Sequence, residues 1–397
     1  MAISDIRELK TPCYIINQSE YESNIKEFME AFYIAWNGQV DYGYSVKTNH
    51  LPHMLKTAMD LGWKAEVVSP DEYEFALQCG ATECQIIFNG PQKREKALDA
   101  LLAGAIVNVD NLEELSYICK EIPGDACSNV KLGLRVNYDI EKDCPGETTC
   151  KGVVNRFGIS YENGELKKAI EMLKDSGMIL SGLHMHESSS SRSLNIFKSI
   201  ADKTCEIIEK YDLNELKYID IGGGFFGGNL FPGKPSYSEY AEVICKSLKR
   251  VLDPTRVKLI LEPGAAVLAT SMDYLTAVLN TRDIRGQKIV TVDGSVIHIN
   301  PMMNPHETPF TLIDGGDEID LPPIIAGSTC MEMDRFLPRG LKNQVLPESR
   351  LLFHACGAYM STHNSSFINA APNIYIKRAE NDYELLREKN VDSMLKF

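Results

Sequence analysis

No stretch of the 397-residue sequence approaches the ~20 consecutive apolar residues that a membrane-spanning helix needs. The first residues, MAISDIRELKTPCYIIN, contain no basic region followed by an apolar core, so a secretory signal is not expected. Basic residues are in the minority, and the formal net charge of −14 is spread along the chain. We therefore expect a cytoplasmic protein that binds neither a membrane nor nucleic acid, since nucleic acid would require a basic face.

The eleven cysteines lack a recurring spacing, and no two of them form the CxxC pair that is typical of a zinc site. Thiols in a reducing compartment explain such a pattern better than a disulfide framework does. The hydrophobic content of 44% is that of an ordinary globular protein. Cysteine composition alone therefore identifies no functional site.

What the sequence does contain is an alternation of strand-like apolar runs with segments whose apolar residues recur at helical spacing. Eight such units in succession predict a (β/α)8 TIM-like barrel, with a doubly wound open sheet as the competing interpretation. The candidate strands are residues 40–47, 64–69, 85–90, 106–110, 131–137, 179–186, 218–222 and 259–262.

The pattern changes after Glu262. Helical periodicity fades, and segments such as RLLFHACGAYM and NIYIKR alternate with turn residues. The opening TPCYIIN is strand-like in the same way. We therefore predict a barrel formed by residues 25–265 and a second, mainly β domain formed by residues 1–24 and 266–397.

Lys47 is placed at the end of the first predicted barrel strand, where such barrels carry their chemistry. A lysine beside an apolar strand is costly to bury unless its charge is lost or paired. Forming a Schiff base with a cofactor aldehyde removes that charge. A lysine that merely reaches solvent is the alternative.

The run IDIGGG, residues 219–224, places three glycines after a strand. Unobstructed backbone N–H groups there can bind an anion such as phosphate. The stretch also fits G-x-G-x-x-G through Gly222, Gly224 and Gly227. A dinucleotide-binding fingerprint is not predicted, because the next helix begins only near Tyr237.

His184 and His186 lie two residues apart on a predicted strand, so their side chains share a face. Metal binding would need a third ligand, and none stands out in the sequence. The alternative is a flat imidazole against a planar cofactor, with the serines of residues 188–190 donating to its phosphate. No metal is therefore predicted.

Glu262 ends the last barrel strand, where a carboxylate needs a cationic partner. A protonated pyridine nitrogen would serve, and an ordinary salt bridge is the alternative. In the C-terminal region Cys330 and Asp334 lie within GSTCMEMD, and Tyr359 lies within CGAYM. Spacing alone is weak evidence that these three residues have a functional role.

Taken together, these elements resemble the fold-type III pyridoxal-phosphate decarboxylases, which include ornithine, diaminopimelate and carboxynorspermidine decarboxylases. The resemblance covers nearly the whole chain and keeps the family's order. Residues 44–49, YSVKTN, are similar to the family's cofactor lysine motif, and HMHESSS is similar to its His-x-His-x-x-Ser element. IDIGGGF, EPG and GAY resemble its phosphate glycines, its pyridine-nitrogen carboxylate and its cofactor tyrosine.

The resemblance implies roles for individual residues and a cofactor, pyridoxal 5'-phosphate. Lys47 would hold the cofactor and Glu262 its ring nitrogen, while His186 would stack on the ring. It also implies a head-to-tail homodimer, in which Cys330 and Asp334 reach the active site of the other copy and Cys330 supplies a proton. The phosphate would be bound by Ser189, Gly223, Gly224 and Tyr359.

The chain departs from the family pattern at positions that bear on the substrate. Ala265 stands where the family commonly has arginine, and Met331 follows the cysteine where an acidic residue is usual, with Glu332 one position later. The missing arginine and the stretch DGSVIHINP resemble the carboxynorspermidine branch. The net acidic charge and Glu332 predict a basic or polyamine-like amino acid as substrate, which Glu332 and Asp334 would contact.

Three other functions remain open at this point. The first is a pyridoxal-phosphate-dependent amino-acid racemase with a related barrel, which would release no carbon dioxide. The second is a non-catalytic relative that merely holds the cofactor. The third is a metal-dependent barrel hydrolase, which depends only on His184 and His186.

Overall fold

A computed structural model describes residues 3–93, 95–127, 129–227, 233–302, 308–337, 339–363 and 366–395. The chain divides into two compact units. One contains most of residues 25–266, and the other contains the described residues before 25 and after 266. In the described part, no helix is both long enough and apolar enough to cross a bilayer.

The strands and the α-helices are numbered here in chain order. The strands are β1 (Cys13–Asn17), β2 (Val40–Ser45), β3 (Lys64–Val67), β4 (Ile86–Phe88), β5 (Ile106–Val109), β6 (Lys131–Asn137), β7 (Ile159–Ser160), β8 (Gly182–His184), β9 (Tyr218–Asp220), β10 (Lys258–Leu261), β11 (Met272–Ile284), β12 (Gln287–Val292), β13 (Phe310–Ile313), β14 (Ile324–Ala326), β15 (Arg335–Leu337), β16 (Arg350–Phe353), β17 (Asn373–Ala379) and β18 (Asp382–Arg387). The helices are α1 (Gln18–Trp36), α2 (Pro52–Asp60), α3 (Pro70–Gln78), α4 (Glu95–Leu102), α5 (Leu112–Glu121), α6 (Glu165–Asp175), α7 (Leu194–Tyr211), α8 (Tyr237–Leu248), α9 (Ala265–Leu268), α10 (Met360–His363) and α11 (Asp392–Leu395).

The first unit is a closed parallel barrel. Its strands follow the order β5-β4-β3-β2-β10-β9-β8-β6, and the pairing of β5 with β6 closes the ring. The predicted (β/α)8 fold is therefore confirmed, and the open sheet is excluded. Part of the interior is an apolar cluster contributed by four strands: Ile87, Ile106, Tyr218 and Ile260.

Six of the eight barrel strands are shorter than the apolar runs predicted, whereas β6 and β10 keep the predicted length. The first ends at Ser45 and not at residue 47, and the sixth spans only Gly182–His184, so His186 lies beyond it. Strand β7 was not predicted; it adds two residues beside β6 within a long loop. The reason is that hydrophobic patterning continues into the strand-end loops, which are buried but have no ladder partner.

Several barrel helices begin at a side chain that caps their first turn. Ser69 Oγ accepts a hydrogen bond from Glu72 N at 3.1 Å, and Asn111 Oδ1 accepts one from Glu114 N at 2.9 Å. Such caps stabilise a helix start by about 1 kcal/mol each. They fix where each helix begins and so how the preceding strand-end loop is placed.

The second unit is built on a sheet with the order β15-β14-β12-β11-β1-β17-β18, to which β16 and β13 are added through β11. The opening segment contributes a strand to this sheet: β1 pairs antiparallel with β11 and parallel with β17. A buried apolar cluster is formed by Leu9 and by residues of four of these strands: Cys13, Ile15, Leu275, Tyr375 and Tyr383.

Candidate active site

Lys47 lies directly after β2, in a single 3-10 turn formed by Val46–Thr48. The strand extends only to Ser45, so the prediction that Lys47 itself closes the strand is wrong by two residues. The turn places the lysine at the carboxyl end of the barrel. There Nζ lies 2.5 Å from Oε2 of Glu66, a side chain that is only 1% exposed.

Three carboxylates, Glu66, Asp220 and Glu262, are buried at this end of the barrel. Asn89 Nδ2 donates to Glu66 Oε1 at 3.1 Å and to Glu262 Oε1 at 2.6 Å. Asn108 Nδ2 donates to Asn89 Oδ1 at 2.8 Å and to Asp220 Oδ2 at 3.1 Å. The two amides therefore connect all three carboxylates in one hydrogen-bonded network, which satisfies polar groups that would otherwise be costly to bury.

Burial raises the pKa of Glu262 well above its ordinary value, and the neighbouring carboxylates Asp220 and Glu66 raise it further. Burial also raises the pKa of Asp220. Lys47 acts in the opposite direction on Glu262. A cationic group placed against Glu262 would therefore relieve an unfavourable concentration of negative charge.

Replacing Asp220 by asparagine is expected to make the stability of the cofactor-free protein less sensitive to a rise in pH from acid to neutrality. The pKa of Asp220 is higher in the folded than in the unfolded chain, so the folded protein keeps a proton that the unfolded chain releases. Stability is therefore complete in acid and declines as pH rises toward neutrality. Between about pH 5 and about pH 8, the melting temperature of Asp220→Asn should fall less than that of the wild type.

Scanning fluorimetry across that pH range measures the difference. Asp175→Asn, at the exposed end of α6, is the matched control and should follow the wild type. Identical pH slopes for wild type and Asp220→Asn would contradict the protonation of Asp220 as the cause.

His184 ends β8 and His186 follows two residues later. Their rings are nearly parallel, at 12°, with centroids 6.1 Å apart, so the predicted common face is confirmed although only His184 lies on the strand. Burial keeps both imidazoles neutral: the pKa of His186 is lowered to about 3, and that of His184 is also lowered. A neutral, flat ring is suited to stack on a planar cofactor.

The glycine turn after β9 is shaped by close contacts. A Cβ on Gly222 would lie 2.5 Å from the Cβ of His186, and one on Gly223 would lie 2.3 Å from the carbonyl oxygen of Glu262. Gly223 N donates to His186 Nδ1 at 3.3 Å. Among the described residues, the amides of Gly224 and Phe225 have no acceptor, which leaves two N–H groups for an anion.

Ser189 lies in the loop after His186, and its hydroxyl is engaged within that loop. Oγ donates to the carbonyl of Glu147 at 3.1 Å and accepts from the amide of Arg192 at 2.9 Å. The contact with a phosphate that the sequence suggests for Ser189 therefore stays a prediction. The same holds for Gly223, whose amide is used by His186.

His184, Asp220 and Glu262 also bring together one nitrogen and two carboxylate oxygens within 4.8 Å, close enough to hold a metal ion. No local pattern marks these carboxylates as partners of His184, because Asp220 ends β9 and Glu262 follows β10. His186, the second histidine of the motif, is not a member of the group. The two histidines that suggested a metal-dependent hydrolase are therefore not the residues that together could bind a metal ion.

The remaining predicted residues belong to the other unit. Cys330 is exposed, and the side chain of Glu332 is 99% exposed beside Arg335. Asp334 is buried, and its carboxylate accepts from Val296 N at 2.8 Å and from Thr329 N at 3.0 Å. Asp334 thus holds its own loop in place, and its contact with substrate stays a prediction.

Tyr359 directly precedes α10 and adopts a positive φ of 65°. Its ring centroid lies 5.9 Å from that of His363. The predicted contact of Tyr359 with the phosphate stays a prediction.

Sequence reasoning missed Glu66, Asp220 and Arg135 as members of the site. Each is a charged residue within an otherwise apolar strand, which was the available signal. Arg135 Nη1 lies 3.6 Å from Asp110 Oδ1, and its guanidinium lies over the ring of Phe157, 4.7 Å from the centroid. It therefore adds a buried positive charge near the two histidines, whose pKa values it lowers.

The barrel residues fit pyridoxal phosphate. Lys47 offers an amine for the aldehyde, Glu262 a carboxylate for the ring nitrogen, and His186 a flat face for the ring. The free amides of Gly224 and Phe225 suit its phosphate. These groups meet at one end of one barrel, as the cofactor requires.

Comparison with known proteins agrees with this arrangement. A family model described as the pyridoxal binding domain of pyridoxal-dependent decarboxylases matches residues 20–269. Diaminopimelate decarboxylase of Aquifex aeolicus is 28% identical over 293 residues, which are 72% of this chain and 67% of the relative. The corresponding enzyme of Archaeoglobus fulgidus is 29% identical over 307 residues, which are 75% of this chain and 71% of the relative.

Solved structures share the fold. A diaminopimelate decarboxylase from M. jannaschii has a TM-score of 0.84 at 22% identity, covering 98% of this chain and 92% of its own. A lysine/ornithine decarboxylase from Vibrio vulnificus has a TM-score of 0.74 at 22% identity, covering 91% of both chains. The chain therefore belongs to the pyridoxal-dependent decarboxylase family of fold type III, and it is a pyridoxal-phosphate-dependent carboxy-lyase.

Proposed function

We propose that this enzyme removes the α-carboxylate of an amino acid that carries a second, basic group on an extended chain. The observation that carries the reaction is Lys47 beside Glu66 at the barrel end, with Glu262 buried in the same network. When bound, pyridoxal phosphate withdraws electrons from the α-carbon of the substrate and so permits loss of carbon dioxide.

The residues of the chain position and charge this site. Lys47 would hold the cofactor, and Glu66 keeps its Nζ at a fixed place while Ser45 Oγ donates to the same carboxylate at 2.6 Å. Glu262 would keep the ring nitrogen protonated, and Asn89 fixes the orientation of that carboxylate. His186 would cover one face of the ring and exclude water from it.

The basic substrate is supported by charge and by the relatives. Named relatives act on diaminopimelate, and neighbouring structures contain L-lysine or cadaverine. In this chain the loop that contains Cys330 also carries Glu332, whose carboxylate is exposed and could face an ammonium group. Ala265 and Met331 replace residues usual in ornithine and diaminopimelate decarboxylases, so lysine-like and carboxylated polyamine substrates belong in the comparison.

We also propose a head-to-tail homodimer in which Cys330 of one copy protonates the substrate's α-carbon in the other. Its support is the exposure of Cys330 together with Glu332, since both would be accessible to a second copy. The thiol is a suitable proton donor when it is held against the reacting carbon.

Carbon dioxide release from a substrate panel tests the function. Ornithine, lysine, meso-diaminopimelate and a carboxylated polyamine are compared with glutamate and alanine, using the cofactor-loaded protein. A basic member should exceed glutamate and alanine in kcat/KM by about tenfold or more, because an ion pair or charge-assisted hydrogen bond contributes that much discrimination.

The inactive variant Lys47→Ala gives the background for each compound. Turnover of glutamate or alanine alone would contradict the proposed substrate class. Loss of optical activity without carbon dioxide release would identify a racemase. No reaction with any compound, despite a bound cofactor, would favour a non-catalytic relative.

A further inference from the structure

A cavity of about 390 Å³ lies beside the barrel strand β6 and the short strand β7, within the loops that follow β6 and β8. Its size is in the range of small-molecule sites. None of Lys47, His186, Gly223, Gly224 or Glu262 lines it. The cavity is therefore separate from the cofactor residues described above.

Glu187 is the buried anion of this cavity. The residue is only 4% exposed. Its Oε2 accepts a hydrogen bond from Asn155 Nδ2 at 2.7 Å, whereas Oε1 has no hydrogen-bond partner among the described residues. A buried carboxylate oxygen without a donor is costly, so the site lacks a hydrogen-bond donor or a cation.

The surrounding charges do not supply that partner. Arg135 is a nearby cation, but its guanidinium is placed against Asp110 and the ring of Phe157, and no ion pair joins it to Glu187 in the described part of the chain. The cavity lining contains four carboxylates and one lysine, Lys142, which pairs with Asp139 near the surface. The cavity is thus negatively charged at neutral pH.

Part of the remaining lining is apolar, beside polar side chains such as Asn137 and Thr148. Tyr138 and Ile140 form part of the wall, and Val153 and Val154 lie at its exposed edge, 73% and 85% exposed. An aliphatic chain would cover these apolar groups, and an ammonium group would form ion pairs with the carboxylates. An aliphatic amine meets both requirements.

We propose that this cavity binds an aliphatic amine, whose ammonium group pairs with Glu187, at a site separate from the cofactor site. Asn137 keeps the cavity open, because its Nδ2 donates to the carbonyls of Asn155 and Phe157 at 2.8 Å and 2.6 Å and so fixes the loop that carries Asn155. The proposal does not depend on which amino acid the enzyme decarboxylates.

Binding should also depend on pH. Burial and, to a smaller extent, Glu162 raise the pKa of Glu187 to about 7, against the lowering effect of Asn155 and Arg135. The Tyr138 hydroxyl is also near this carboxylate, which raises the pKa of the tyrosine. A cation favours the ionised carboxylate, so amine affinity should rise about tenfold between pH 6 and pH 8, as the ionised fraction of such a group does.

Isothermal titration of the full-length, cofactor-loaded and borohydride-reduced enzyme with butane-1,4-diamine and pentane-1,5-diamine tests the proposal. One binding event is expected, weakened about tenfold or more in Glu187→Gln, which keeps the shape and the contact with Asn155. Glu171→Gln, an exposed carboxylate change on α6 outside the cavity, should bind as the wild type does. Pentan-1-ol, which lacks the charge, should not bind.

Val153→Arg provides a second variant that leaves the buried carboxylate intact. It places a cation at the exposed edge and should weaken diamine binding without altering cofactor content. Equal affinity in wild type and Glu187→Gln would locate the amine elsewhere and overturn the proposal. No binding at all would mean that the cavity holds only water. Carbon dioxide assays are independent of these outcomes, so failure here is distinguishable from failure of the proposed function.

Discussion

Replacing Lys47 by alanine is expected to reduce carbon dioxide release by about 10³-fold or more, because the variant loses the amine that would hold the cofactor. The reason is structural: Lys47 Nζ is fixed against the buried carboxylate of Glu66 at the barrel end. Mass spectrometry after borohydride treatment should find the cofactor bonded to Lys47 in the wild type and to no residue in the variant.

Lys56→Ala is the matched control, since Lys56 is an exposed lysine on α2 and lies outside the site. It should keep both the covalent cofactor and the rate. A Lys47→Ala protein that still carries a covalent cofactor would show that a different lysine is used. The assignment of the site would then have to be abandoned.

Glu262→Gln should lower kcat by about 10²- to 10³-fold while leaving the cofactor bonded to Lys47, the size of effect seen when one electrostatic partner of a reacting group is lost. Glutamine keeps the volume and can still accept the hydrogen bond from Asn89. It cannot hold a proton on the ring nitrogen, because it carries no charge. The paired measurements are kcat and covalent cofactor content at one pH.

Glu242→Gln, on the exposed face of α8, controls for the loss of one negative charge and should retain full kcat. A Glu262→Gln enzyme with kcat within about threefold of the wild type would remove the electrostatic role. Loss of the covalent cofactor would instead show that Glu262 acts mainly in binding.

The barrel could be predicted from the sequence because alternating strands and helices leave local signals in every unit. Lys47, His186 and Glu262 could be selected because each follows an apolar run directly. The network through Asn89 and Asn108 could not, since Asn89 donates to Glu262, which lies 173 residues later. Such partners meet only when the barrel closes, and no local pattern records that closure.

The cavity around Glu187 was hidden for a different reason. It depends on an irregular loop after β6, where Asn137 holds the backbone through two carbonyls and no periodicity is present. The lengths of the strands were overestimated because buried strand-end loops are as apolar as the strands. Residues of the second unit, such as Asp334, were selected by motif, and only the structure shows how that carboxylate holds its own loop.

The position of β1 has a consequence for synthesis on the ribosome. Cys13 pairs with Leu275 and with Asn373, about 260 and about 360 residues later in the chain. This apolar strand therefore emerges first and waits for both neighbours until translation is almost complete, whereas all barrel strands are made earlier. A nascent chain stopped before Asn373 leaves one edge of β1 unpaired, which makes incomplete products candidates for aggregation and degradation.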